Sequence, residues 1–133
     1  RSTLVLHDGC SRASRIPLTY NVPGFDQGVN GADLLDRMTA HAERYGAKIE
    51  VDRVEGAVRA GDRFRLSLAS GGSVEGRTLI LATGIQLNQI ALPEDVHEAA
   101  IRAGVLRYCP ICDGFEHIGK RIGVVGCDTQ GAG

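Results

Sequence analysis

Two cysteines stand two residues apart in Cys109-Pro110-Ile111-Cys112-Asp113-Gly114-Phe115. That spacing lets the sulfurs meet with little rearrangement, so a small disulfide can close and reopen. The working form in such exchange is the thiolate, and a Cys-X-X-Cys pair at a helix N-terminus has a lowered thiol pKa. Pro110 suits the first turn of such a helix, where its missing N–H costs nothing. Each exchange step delivers a proton to a leaving thiolate or removes one from a thiol. Asp113 follows the pair directly and is the natural proton donor or acceptor. Cys109, Cys112 and Asp113 are therefore the candidate catalytic residues.

A zinc site is the rival reading of the pair. It needs four ligands, usually as two Cys/His pairs at short spacing. His97, His117, Cys10 and Cys127 are scattered instead, so no metal is expected. A blander alternative is a pair of buried core cysteines, which the flanking Pro110 and Asp113-Gly114 disfavour. Cys127 is read as packing, and Cys10, in a loop, is left uncommitted.

A second pattern follows closely. Arg121-Ile122-Gly123-Val124-Val125-Gly126 reads as a short apolar strand ending in glycine, and Cys127 to Ala132 as a tight turn and helix start. Gly126 and Gly131 match the outer glycines of the G-x-G-x-x-G dinucleotide fingerprint. Asp128 replaces the middle glycine and should repel phosphate unless it turns away to cap the helix. An ordinary strand-turn-helix remains the alternative. Dithiol, acid and dinucleotide turn in one stretch point to a disulfide oxidoreductase fed by a nicotinamide cofactor.

The elements that must position these residues are legible by pattern. Thr3 to Leu6 reads as a short buried strand. Cys10 to Asn30 is loop-like, punctuated by Pro17, Pro23, Gly24 and Gly28; such a long ordered loop suggests function. A helix opens at Gly31-Ala32-Asp33, capped near Asn30 or Gly31. Leu34, Leu35, Met38, Ala42 and Tyr45 fall on one face, and Gly46 closes it. Lys48 to Val54 reads as a strand, and Val54 to Ala69 as two antiparallel strands turning at Ala60-Gly61-Asp62. Val74 sits on a third. Thr78 to Gly84 is a continuous apolar run that predicts a strand buried on both faces. Residues 86 to 93 read as a linker, with a domain boundary between 88 and 89. Glu94 to Ala103 is a short helix ended by Gly104, and Lys120 to Val125 a strand.

Composition narrows the class. With 133 residues and 43% hydrophobic content, one modest core is possible. Eighteen glycines against 5% aromatics suit an α/β fold whose backbone approaches phosphates. Fifteen basic and 16 acidic residues are well mixed, which gives no footprint for nucleic acid or a membrane surface. No apolar stretch approaches the ~20 residues that span a bilayer, and Arg1-Ser2-Thr3-Leu4 is not a signal peptide. Sparse cysteines argue for a reducing compartment, hence the cytoplasm. The first residue is not Met, and Gly131-Ala132-Gly133 stops where a helix should start. The expectation is an internal piece of a longer protein.

Together these residues resemble the thioredoxin reductase family in its low-molecular-weight bacterial form, the class II pyridine nucleotide-disulfide oxidoreductases. Asn21-Val22-Pro23-Gly24-Phe25 resembles the family's Asn-x-Pro-Gly segment near the flavin. Gly31-x-x-Leu34-Leu35-x-x-Met38 resembles its next helix. Leu79 to Gly84 resembles the Ala-Thr-Gly strand that closes the first flavin-binding stretch, and Cys109 to Gly114 the redox-active Cys-x-x-Cys-Asp-Gly. The resemblance implies an α/β, Rossmann-like, two-dinucleotide-binding flavoprotein fold, incomplete here. Residues 1–88 would be part of the FAD domain with a small antiparallel meander. Residues 89–133 would start the NAD(P)H domain and carry the dithiol.

It further implies a relay from NADPH through FAD to the Cys109–Cys112 disulfide, and on to a thioredoxin-like protein or a small-molecule disulfide. Cys112 would face the flavin and Cys109 would attack the substrate. Asn21, Thr83 and Gly84 would lie near FAD, and Gly126 to Gly131 would meet the NADPH pyrophosphate. The full-length working form would be a homodimer, with a domain rotation between half-reactions. The piece alone is expected to be inactive and to hold FAD weakly. Ser11 to Pro17 departs from the Gly-Gly-Gln stretch of true thioredoxin reductases, which with Asp128 leaves open a dithiol oxidase that passes electrons to oxygen. A non-catalytic remnant is the third reading.

Overall fold

The computed structural model describes residues 2–85 and 88–126, with only the backbone of Ile111 and Asp113. β1 (Thr3–His7) and β2 (Ala47–Val51) pair in parallel, Val5 opposite Ile49, and α1 (Gly31–Arg44) lies between them in sequence. This is a β-α-β unit, the building block of a parallel sheet. β3 (Val54–Ala60), β4 (Arg63–Leu68) and β5 (Ser73–Gly76) form an antiparallel meander in that order. α2 (Glu94–Arg102) and the four-residue α3 (Pro110–Asp113) follow. Among the described residues no helix is long and apolar enough to cross a membrane.

Local chemistry explains most of these bounds. The Asn30 side chain accepts the Asp33 N–H at 2.9 Å, satisfying one of the amides that a helix start leaves orphaned. At the other end Gly46, at φ +85°, donates its N–H to Glu43 C=O at 2.8 Å. Leu34, Leu35 and Ala42 turn partly inward, whereas Met38 and Tyr45 are exposed, so the apolar face is narrower than its spacing predicts. The meander turns at Gly61 (φ +65°), and Phe64, Leu66 and Leu68 alternate inward along β4.

The long loop before α1 is tied down. A 3₁₀ turn (Arg12–Arg15) is capped by Ser11. Thr19 and Val29, 4% and 5% exposed, exchange both backbone hydrogen bonds at 3.0 and 2.9 Å and close the stretch between them. Gly31 donates its N–H to Ile16 C=O at 2.8 Å, and a Cβ there would overlap the Ala13 carbonyl. Only glycine lets the helix start this close to the turn.

Three sequence expectations need correction. β1 forms as a strand but is not buried, with Leu4 and Val5 38% and 41% exposed. Residues 78–84 form no ladder with any described strand, and Ile80 and Leu81 are 84% and 74% exposed. Residues 121–125 likewise form no strand, with Val125 79% exposed. A buried parallel strand takes its hydrogen bonds from neighbours on either side, and among the described residues none flanks either run. The apolar composition records what these segments suit, and burial waits on a partner.

Candidate active site

The dithiol lies where the sequence predicts it. Cys109 is the N-cap of α3, extended at φ −135° and ψ 93°, and Pro110 opens the first turn. Cys109 and Cys112 form a disulfide with Cα atoms 5.2 Å apart, within the usual range for such bonds. The Cys112 N–H also points at Cys109 Sγ, 3.2 Å away. An amide aimed at a sulfur would stabilise negative charge on it once the disulfide opens. Asp113 ends α3, and a second 3₁₀ turn (Gly114–His117) carries the chain on. Arg107 and Glu116 bracket the segment, 3.7 Å apart and each less than one-fifth exposed.

Asn21 reaches this segment from ninety-one residues away. Its Nδ2 donates to the Cys112 carbonyl at 3.1 Å. The amide orientation is chemically determined, because the Cys112 carbonyl can only accept, which leaves Oδ1 to accept the proton of the buried Thr19 hydroxyl at 2.8 Å. Thr19 thus braces the amide whose NH₂ group faces the dithiol. The segment Tyr20 to Asp26 lines an open cleft of about 600 Å³ beside this bond. An adjoining cleft of about 610 Å³ runs from Tyr20 and Asp26 to Phe115, Glu116 and Lys120. Both are shallow and open to solvent.

The other predicted cofactor residues are not gathered here. Thr83 and Gly84 lie in the exposed run after Thr78, with Gly84 at φ +66°. Gly126 is exposed at the end of the described chain; Gly131, Cys127 and Asp128 lie outside the described residues. No cluster of metal-ligating side chains occurs among the described residues. Sequence reasoning missed the Asn21–Cys112 bond, the Arg107–Glu116 pair, and a buried His97 bonded to Tyr108 next to Cys109. Only the last left a local signal: His97 shares one face of α2 with Ile101.

The fold fits the class of Rossmann-like FAD/NAD(P)-binding proteins: a parallel β-α-β unit, an antiparallel meander, and a disulfide helix docked against the first unit's loop. No family profile matches the chain. It is 36% identical over 106 residues to thioredoxin reductase of Streptomyces clavuligerus, covering 80% of this chain and 32% of that protein. It is 34% identical over 106 residues to a glucosaminate ammonia-lyase of Pseudomonas fluorescens, with the same shares covered. The solved thioredoxin reductase of Streptococcus pyogenes superposes with a TM-score of 0.73 at 24% identity, over 84% of this chain and 35% of that one. The chain thus spans about one-third of the length of the relatives it matches. Over that third it is 31–36% identical to thioredoxin reductases of several bacteria.

Proposed function

We propose that this chain is the dithiol-bearing part of a flavin-dependent disulfide oxidoreductase, which passes electrons from NADPH through FAD to Cys109–Cys112 and on to a protein or small-molecule disulfide. The observation that carries the reading is the Asn21–Cys112 bond, which sets the disulfide helix against the open Tyr20-to-Asp26 cleft. Tyr20 to Asp26 would form one wall of a flavin site. Asn21, Thr83 and Gly84 would hold FAD, and Gly126 and Gly131 would hold NADPH. A bound flavin accepts a hydride from the nicotinamide and supplies two electrons to a disulfide.

The rest is the chain's own chemistry. Two electrons and one proton break the Cys109–Cys112 bond, leaving one thiol and one thiolate. Asp113 exchanges the proton with the thiols. Cys109 thiolate attacks the substrate disulfide, and one substrate sulfur leaves and is protonated. Cys112 thiolate then attacks Cys109 Sγ, releases the second substrate thiol, and restores the disulfide. The Cys112 N–H aimed at Cys109 Sγ supports Cys109 as the attacking sulfur. A homodimeric cytoplasmic enzyme acting on a thioredoxin-like partner is the form this reading takes.

The test uses the protein that carries this chain. Anaerobic NADPH should bleach a flavin spectrum while thiols appear at Cys109 and Cys112. A colourless protein refutes the reading. A flavin that NADPH leaves oxidised, but that consumes oxygen when given a small dithiol, replaces the reductase with a dithiol oxidase.

A further inference from the structure

His97 is 3% exposed, and the relay above gives it no role. A buried imidazole is costly unless both ring nitrogens find partners. Nε2 lies 2.7 Å from the Tyr108 hydroxyl. Nδ1 lies 3.5 Å from Glu98 Oε1, which meets Arg15 Nη2 at 3.5 Å. The Tyr108 oxygen also accepts the Ile90 N–H at 3.2 Å. A phenol has one proton to give. Glu98 Oε1 can only accept, so the ring proton sits on Nδ1 facing it, and Nε2 accepts the Tyr108 hydroxyl proton.

Tyr108 immediately precedes Cys109. The chain between α2 and Tyr108 is folded back on α2, since Val105 and Leu106 both donate to Ala100 C=O, at 3.0 and 3.2 Å. The Tyr108 hydroxyl completes that fold-back at its far end. Resting on the dithiol reading above, we propose that His97 and Tyr108 are positioning residues for Cys109. His97 holds Tyr108, and Tyr108 fixes the extended N-cap from which Cys109 Sγ meets the Cys112 N–H. Neither touches a reacting sulfur. Their effect is to keep that amide aimed at Cys109 after the disulfide opens, and so to favour the thiolate.

The experiment alkylates the fully reduced chain with iodoacetamide at neutral pH and reads each cysteine by peptide mass spectrometry, with exposed Cys10 as the internal reference. The disulfide midpoint potential against glutathione and a thermal melt accompany every variant. Tyr108→Phe and His97→Leu should each slow Cys109 about fivefold, the scale of one lost hydrogen bond, leave Cys10 unchanged, and lower the potential. Their double variant should be no slower than either alone. His97→Gln keeps an acceptor near the Nε2 position and should stay within about twofold of the parent. Parent-like Cys109 rates in both Tyr108→Phe and His97→Leu overturn the inference and leave the dithiol reading standing. So does a folded His97→Gln as slow as Tyr108→Phe. A parent Cys109 no faster than Cys10 overturns the dithiol reading itself.

Discussion

Replacing Asn21 by Asp exchanges one NH₂ for one oxygen and leaves the side chain's size unchanged. The Thr19 hydroxyl, 2.8 Å from Oδ1, keeps its acceptor. The second carboxylate oxygen falls where Nδ2 stood, 3.1 Å from the Cys112 carbonyl. A donor–acceptor contact becomes two facing acceptors. Loss of a neutral hydrogen bond costs about 0.5–1.5 kcal/mol, and solvent exposure of this one puts it toward the lower end. Repulsion between the oxygens restores the total to about 1 kcal/mol, roughly fivefold in the equilibrium between docked and undocked α3. The Cys112 and Gly114 amides report that equilibrium, because they are bonded to Cys109 Sγ and the Pro110 carbonyl. Their solvent exchange, measured by NMR on the oxidised chain, should quicken about fivefold, with β2 amides such as Ile49 unaffected. Equal exchange at Cys112 and Gly114 in Asn21→Asp and the parent would refute the claim that Asn21 docks the dithiol. Thr19→Val should give a smaller change of the same sign, since it frees the Asn21 amide to turn without removing its donor.

Three further outcomes follow from single residues. Gly31→Ala drives a Cβ into the Ala13 carbonyl at a buried helix start, so the thermal melt should fall by the equivalent of about 3 kcal/mol; an unchanged melt would mean the loop yields freely. The Ser70 hydroxyl, 2.6 Å away, is the main cause that holds the Asp52 carboxyl below the usual carboxylate range, with the Arg53 N–H adding to it. Ser70→Ala should return it upward in an NMR titration. A depressed folded pKa stabilises above the unfolded value and loses that contribution as pH falls through the folded one, so the two chains should converge in stability at low pH. In the protein carrying this chain, Cys109→Ser should abolish disulfide turnover and leave NADPH reduction of the flavin intact in stopped-flow traces; surviving turnover would contradict the assigned roles.

What could be read in advance divides along the range of the forces involved. Asn30, Asp33 and Gly46 bound α1 through contacts within one turn, and Pro110 beside Cys109 marks the α3 start the same way, so both helices were legible. The alternation of Phe64, Leu66 and Leu68 is likewise a local record of which side of β4 faces inward. Residues 78–84 fail the same treatment because burial is not local. A run such as Leu79-Ile80-Leu81 states an affinity for two covered faces, and Ile80 at 84% exposed has neither. Its environment depends on neighbours that no window of sequence contains. Asn21 is the sharper case. Its Asn-x-Pro-Gly setting suggested a cofactor contact, yet among the described residues its side chain donates to a carbonyl ninety-one residues on. An amide carries a donor and an acceptor, and its type alone does not say which partner takes each. His97 shows that a signal can be present and still be passed over. It occupies the slot one turn before Ile101 on the buried face of α2, where an aliphatic residue would cost nothing. An imidazole there must be answered by a polar group from outside the helix, and Tyr108 is the nearby aromatic hydroxyl able to answer it. That demand couples α2 to the residue before Cys109, so the helix that bears no reactive group still helps to set the dithiol's geometry.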